Sequence, residues 1–501
     1  MGRRAIVSVA VFLLWGAVCF AAERPLKVCM LSGSDEYKSD VSLPVFQKYL
    51  EQRYNVECTL LKATGRDNLP GLEALDNCDV ALFFTRRLTI SGAQLERVKK
   101  YCEAGRPIVA VRTASHGFQN WLEFDKIVLG GNYTGHFGNG PTMKATIVPG
   151  AKSHPILDGV SPTIKSIYSL YNTAPLSPDC EPLMTGETPA SGGTQPVAWT
   201  RQYKGARIFY TSLGGLQDFE NAAFRRMLAN ALFWAANRKV ESKEIPPPAQ
   251  RPKPQGDLRL ILRSRIETSK GSNVWKETTI EKTLPVAETA ILICDMWDRH
   301  WCSGATKRCE ALAKKMNPVL KAARDKGVQI IHAPSETLDF YADWPQRRRM
   351  MLAPTVTPPK LLSLSDPPLP IDDSDGGCDS GEKPWYSAWT RQNPDIEIGE
   401  YDGITDSGAE VYNLFRQQGI RNVIVMGVHT NMCVLGRSFG IRQMTRWGIN
   451  CVLVRDLTDA MYDPKDRPFV SHDAGTELVV QHIEKYWCPT ILSAELLAGL
   501  P

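Results

Sequence analysis

The sequence predicts an α/β protein made of two three-layer α/β domains with mostly parallel sheets, joined by a Pro-rich linker. Three observations carry this. At 501 residues the chain is too long for one ordinary core. Both halves alternate short apolar runs, read as buried strands, with amphipathic stretches, which is the rhythm of βαβ units. Between them, Glu244 to Pro254 reads Glu-Ile-Pro-Pro-Pro-Ala-Gln-Arg-Pro-Lys-Pro, a composition that favours extended polyproline and cannot continue a helix.

In chain order, Arg3 and Arg4, the apolar run Ala5 to Phe20 and small residues before Glu23 follow the order of a secretory signal peptide, with cleavage after Ala21. The apolar run is short for a bilayer span. Residues 1–21 are therefore set outside the fold, and the mature chain is expected to be secreted or periplasmic, with no membrane association. In the first domain, residues 26–240, strands are expected at Leu26–Leu31, Val80–Phe84, Ile108–Val111 and Arg207–Thr211, and helices at Val41–Arg53, Ser91–Ala104 and Asn221–Ala236. Residues 241–256 form the linker. The second domain, residues 257–495, opens with a β-hairpin over 257–284 around Lys270-Gly271-Ser272. Strands Ala290–Cys294, Val328–His332, Val423–Met426 and Asn450–Val454 then alternate with helices Gly304–Lys326, Gly408–Gln418 and Cys433–Trp447. Thr355–Glu382, rich in Pro, Asp, Gly and Ser, reads as a surface excursion.

The 43% hydrophobic content suffices for globular folding, and a net charge of +5, or +3 without Arg3 and Arg4, gives no reason to expect a nucleic-acid partner. Thirteen cysteines are spread without Cys-x-x-Cys metal pairs, so a zinc ribbon is not expected. The sequence leaves oligomeric state open, a homo-oligomer included.

Two strand ends carry the chemistry. Ile291-Leu292-Ile293-Cys294 delivers Asp295 at its carboxyl end, where open α/β sheets place their crevices. Gly427-Val428-His429-Thr430-Asn431-Met432-Cys433 runs from an apolar strand through a turn to a cysteine opening a helix, where the dipole would lower its pKa. A nearby carboxylate would accept the thiol proton, and backbone N–H groups would hold an oxyanion. Either residue alone is often a cap or core residue; together they favour acyl transfer to sulfur followed by hydrolysis. A small-molecule substrate would meet Trp297, Asp298, His300, His429, Thr430 and Arg391.

Asp295-Met296-Trp297-Asp298 resembles the Asp-x-Gln-x-Asp-Phe signature of the isochorismatase-like cysteine hydrolases, which include nicotinamidases and N-carbamoylsarcosine amidohydrolases. Gly427 to Val434 is similar to that family's Gly-Val-x-Thr-x-x-Cys-Val segment, and Arg455 to Ala460 to its later Asp-Ala segment. The resemblance implies an attack on an amide-like C–N bond with Cys433 as nucleophile, Asp295 as base, and a cis Val428–His429 peptide. The family triad also holds a lysine, and that place reads as Glu400 here. Three readings stay open: Glu400 is a variant acid/base, Arg391 supplies the cation, or the domain binds without turnover. Asp298-Arg299-His300 has the spacing of half the nicotinamidase metal site, but it sits beside Asp295, and no histidine lies between Ala333 and His429. Neither a metal nor another cofactor is expected.

Residues 26–236 resemble the ThuA-like (trehalose utilisation) group, with a class I glutamine amidotransferase-like fold. The resemblance rests on Val109 to His116, His154 to Val160 and Phe209 to Gly215. The turn after Val111 offers Thr113, Ser115 and His116 but no cysteine, so glutaminase chemistry is not expected. His116, Ser115 and His136 are candidates for contacting a polar ligand such as a sugar, and His154 suits a turn. The alternative function is a noncatalytic carbohydrate-binding or scaffold protein with degenerate sites.

Overall fold

The structure, a computed structural model, describes residues 24–138, 142–243, 248–383 and 387–501. The signal-peptide segment 1–21 and linker residues 244–247 lie outside the described residues.

The N-terminal sheet is built from β1 (Leu26–Gly33), β2 (Val56–Lys62), β3 (Val80–Thr85), β4 (Ile108–Val111), β6 (Met143–Ile147), β7 (Thr163–Ser166), β9 (Glu181–Glu187), β10 (Gln195–Tyr203) and β11 (Ala206–Thr211). Their order is β2-β1-β3-β4-β11-β10-β9-β6-β7, while β5 (Gly135–Phe137) and β8 (Leu170–Asn172) form a separate ribbon. From β2 to β11 the pairing is parallel; from β11 to β7 it is antiparallel. The sheet is therefore mixed. Side-chain alternation divides β3 between two cores: Val80, Leu82 and Phe84 pack with helices α1 (Ser39–Arg53) and α3 (Ala222–Ala235), and Ala81 and Phe83 with α2 (Gly92–Glu103). A strand covered on both faces must be apolar throughout, which is why β3 and β4 read as unbroken hydrophobic runs. Asn221 caps α3 by accepting the Ala223 and Phe224 N–H groups at 2.9 and 3.2 Å.

The C-terminal sheet comprises β12 (Asp257–Glu267), β13 (Trp275–Pro285), β14 (Thr289–Cys294), β15 (Gln329–Ala333), β16 (Gly403–Ile404), β17 (Asn422–Val428), β18 (Asn450–Asp459) and β19 (Thr490–Ile491). The order is β13-β12-β19-β18-β17-β14-β15-β16, antiparallel only in β13-β12-β19. Helix α4 (Ser303–Asp325) covers the face of Ile291 and Ile293. On the opposite face, Ala290 and Leu292 pack with α5 (Pro345–Leu352), α6 (Gly408–Gln418), α7 (Cys433–Gly436), α8 (Ile441–Arg446) and α9 (His472–Tyr486). The short α10 (Ser493–Ala498) closes the chain beside α4 and β12.

The helix expected over Cys433–Trp447 is broken. It stops at Gly436, Arg437 turns to an extended backbone (φ −63°, ψ 158°), and α8 restarts at Ile441. Gly440 at the restart lies 2.9 Å from the Val434 carbonyl, counting from where a Cβ would stand, so the turn is too close-packed for a larger residue without adjustment.

The domains are docked. Thr142 Oγ1 donates to the Ala388 carbonyl at 2.6 Å, Arg225 pairs with Asp343 at 2.9 Å, Arg53 donates to the Asp343 carbonyl at 3.0 Å, and Arg391 pairs with Glu220.

Candidate active site

Gly427 brings the two strand ends together. Its φ of 118° suits glycine, and a Cβ there would collide with the Cys294 carbonyl, so only glycine lets the end of β17 lie this close to the end of β14. The Val428–His429 peptide that follows is cis. Beyond it, the Met432 and Val434 N–H groups donate to the His429 carbonyl at 3.0 and 3.2 Å, closing the turn that holds Cys433. On β14 the chain leaves the sheet at Asp295, whose left-handed backbone (φ 44°) is unusual for a residue with a side chain. Its N–H donates to Ala333 at 3.0 Å.

Asp295 is fully buried. Its carboxylate accepts the Ser335 N–H at 2.7 Å and Arg437 Nε at 2.9 Å, and the Cys433 thiol lies within its electrostatic reach. Burial pushes its pKa up, with Arg437 and Ser335 opposing. Cys433 is half-buried. Burial and the Asp295 charge push its thiol pKa up, against the pull of Arg437. The lowered value expected from the helix dipole is thus not found: α7 is one turn long, too short to outweigh burial. The arrangement sets a thiol beside a buried carboxyl group, with a guanidinium bonded to the carboxyl.

That cation is Arg437, which sequence reasoning missed. The signal was its place four residues after Cys433, one helical turn on. Glu400, expected in the third triad place, is exposed and remote from the cluster. Its neighbour Tyr401 receives a hydrogen bond from Gln329 at the start of β15, whereas Asp295 meets Ala333 at that strand's end, some ~13 Å away. Arg391 does not supply the cation either, because its guanidinium pairs with Glu220 of the other domain and lies 5.4 Å over Phe340.

The remaining residues separate into walls and braces. Asp298 is a brace: it accepts Thr390 N–H and Oγ1 at 2.9 and 2.6 Å, fixing the 389–391 segment. Thr430 shares a 2.7 Å hydrogen bond with Thr458 and is fully buried. Trp297 donates its indole N–H to Ser335 at 3.0 Å and stacks on Trp389 with ring centroids 4.1 Å apart. His300 stacks on Trp389 at 5.5 Å and meets His429 edge-on at 5.1 Å. Burial drives both histidines down, His300 to about 3 and His429 to about 4, so both are neutral near pH 7. Buried His429 leaves Nε2 without a partner among the described residues, a polar atom available to a ligand. His332 is closed off, bonded to Gln392 and Asp402 at 2.9 Å each.

As to metals, Asp298 is committed to Thr390, and His300 Nδ1 accepts the Cys302 N–H at 3.1 Å, so the Asp-x-His spacing brings no open ligand pair together. Among the described residues one cluster has converging donors, Cys302, Cys378 and Glu382, within 4.8 Å of one another.

In the N-terminal domain, Ser115 and His116 follow β4, joined by a 3.1 Å Oγ–Nδ1 hydrogen bond. The His116 ring stacks on Tyr133 at 4.4 Å, and burial together with Arg86, Arg87 and Arg112 holds its pKa down to about 3. Arg112 is fully buried among Tyr37, Tyr168 and Tyr171, and donates to the Ser212 carbonyl at 2.7 Å. His136 is exposed on β5, paired in register with Tyr171. His154 caps a turn by accepting the Ile156 N–H at 3.2 Å.

Comparison with known proteins finds a family match in each half. The ThuA family, described as trehalose utilisation, matches residues 27–235, and the isochorismatase domain family matches residues 289–471. Among solved structures, a ThuA-like protein from Parabacteroides merdae is 18% identical, covering 44% of this chain and 94% of its own, with a TM-score of 0.36. A cysteine hydrolase from Pseudomonas syringae pv. phaseolicola is 16% identical, covering 43% and 94%, with a TM-score of 0.30. No curated protein matches the chain.

Proposed function

We propose, for a chain that carries a ThuA domain over residues 27–235 and an isochorismatase domain over residues 289–471, that the second domain is a cysteine hydrolase cleaving an amide-like C–N bond of a small molecule. The observation that carries this reading is the cluster Asp295–Cys433–Arg437, in which a buried carboxylate faces the thiol and a guanidinium lies against the carboxylate at 2.9 Å.

In this reading Asp295 takes the thiol proton as Cys433 attacks the carbonyl carbon, and backbone N–H groups of the 429–433 turn receive the oxyanion. The proton on Asp295 passes to the leaving nitrogen, giving the amine or ammonia and a thioester. Water, activated by the same carboxylate, then releases the acid and restores the thiol. Arg437 opposes the burial that raises the pKa of Asp295 and so favours its ionised form, the service a lysine gives in the family triad. The ThuA domain is assigned a polar ligand, such as a sugar, beside His116 and Ser115, where Tyr133 offers a stacking face. Export is proposed on residues 1–21 alone.

The test is ammonia release from a panel of amides and carbamoyl compounds by the mature protein. Cys433→Ala should abolish turnover of any substrate found, and Asp295→Asn and Arg437→Met should each slow it by roughly 10²–10⁴-fold. Turnover surviving in Cys433→Ala would refute the nucleophile. Glu400→Gln should match the parent.

A further inference from the structure

A chamber of about 650 Å³ lies between the two domains, lined by Lys144, Lys165 and Glu187 from the first and by Glu336 and Ser387 from the second. It adjoins the cluster through a short chain of contacts. Glu336 accepts from Ser387 Oγ at 2.8 Å and lies 3.8 Å from Arg437 Nη2, whose Nε bonds Asp295 at 2.9 Å. Lys165 Nζ, a lining group of the chamber, also stands 5.7 Å over the ring of Trp389, which stacks on Trp297. The N-terminal domain thus reaches across the boundary to the aromatic shelf of the hydrolase site.

The charges of the chamber are unequally engaged. Glu336 is held by Ser387 and Arg437, and Glu187 stands opposite Lys144 in the β6–β9 register. Lys165 is different. It is half-buried on β7 and forms no ion pair among the described residues. Glu336, Asp339 and Asp298 act on it only from longer range, and Lys144 opposes it. A half-buried ammonium that faces an aromatic ring but has no paired carboxylate carries a desolvation cost that an incoming anion would offset. β7 is the outermost strand of the N-terminal sheet, and from it Lys165 reaches Trp389 of the second domain.

We propose that this chamber is the substrate entrance of the hydrolase site and that Lys165, from the ThuA domain, binds a carboxylate on the substrate, making the substrate an amide that also carries an acid group. The proposal rests on Cys433 being the nucleophile. It gives the fusion of the two domains a chemical reason: the hydrolase borrows its specificity-determining cation from its neighbour.

Two alkylating reagents of nearly equal size, the anion iodoacetate and the neutral iodoacetamide, read this without a known substrate. The rate of Cys433 modification in the whole protein is followed by peptide mass spectrometry. Lys165→Met should slow iodoacetate by about tenfold, the scale of electrostatic steering, and leave iodoacetamide unchanged. Lys165→Arg should keep the wild-type ratio. An unchanged ratio in Lys165→Met, or both rates falling together, overturns the entrance while leaving the nucleophile standing. If neither reagent modifies Cys433 in the wild-type protein, the hydrolase reading itself fails, and the entrance falls with it.

Discussion

Asp295 holds a carboxylate in a fully buried position, and in the proposed reaction its protonation decides when the thiol can be activated. Burial raises its pKa, so the base form is lost already above the ordinary aspartate value of ~3.9 as pH falls. The rate of Cys433 alkylation should therefore rise with pH along a limb lying above that value. Arg437→Met removes the charge that opposes burial and should move the limb further upward. Asp295→Asn should leave only the thiol's own titration, itself raised by burial, so that reaction appears only in alkaline solution. An Asp295→Asn profile identical to wild type would remove the base from the account. At this scale the sequence shows Asp295 and Cys433, because each ends an apolar strand in a way residue order reveals. It hides Arg437, because a cation four residues after a cysteine is ordinary on any helix. The carboxylate that gives it meaning comes from a residue 142 positions away. Glu400 misleads for the converse reason: its place in the chain suits the triad, but the turn that contains it lies at the opposite end of β15.

The strands and helices that carry the site were legible where both faces of an element are covered, since such elements read as apolar runs or as strong amphipathic stretches. β1, β3, β14, β17 and α4 are of this kind. The antiparallel strands β6, β7, β9 and β10 were not, because polar residues are interleaved along them and part of each faces outward. The break between α7 and α8 was hidden as well, since Gly436 and Gly440 weaken a helix without forbidding one. Asp402 shows what joins elements at the far end of the sheet. It receives Arg324 of α4 at 2.7 Å and His332 of β15 at 2.9 Å while itself leading into β16. Burial pushes its pKa up, but these partners outweigh burial and hold it down to about 2. A depressed carboxylate stabilises the fold above its unfolded pKa, and that contribution is lost as pH falls from ~4 towards ~2. Asp402→Asn should thus cost about 2–3 kcal/mol at pH 7, with the difference from wild type shrinking across that acid window, as denaturant midpoints would record. A constant difference from pH 7 to pH 2 would mean that the ionised carboxylate is not what matters.

For the molecule as a whole, the two-domain division is visible in length, in the change of motifs and in the proline run, but the way the domains meet is not. Glu220 and Arg391 are 171 positions apart and Arg225 and Asp343 are 118 apart; Glu220, Arg225 and Asp343 are unremarked charges until the fold pairs them, and Arg391 is expected at the catalytic site instead. No helix among the described residues is long and apolar enough to cross a membrane. What the assembled molecule presents is a buried base, a thiol and a guanidinium at the carboxyl ends of β14 and β17, beside a chamber walled by both domains. The most direct test of this account is mass spectrometry of the whole protein, acid-quenched during turnover of an amide found to release ammonia. The account predicts an acyl group, of the mass of the substrate less its amine, on the peptide bearing Cys433, and none in Cys433→Ala. Ammonia release with no adduct on Cys433 in the wild type, and undiminished in Cys433→Ala, would contradict it.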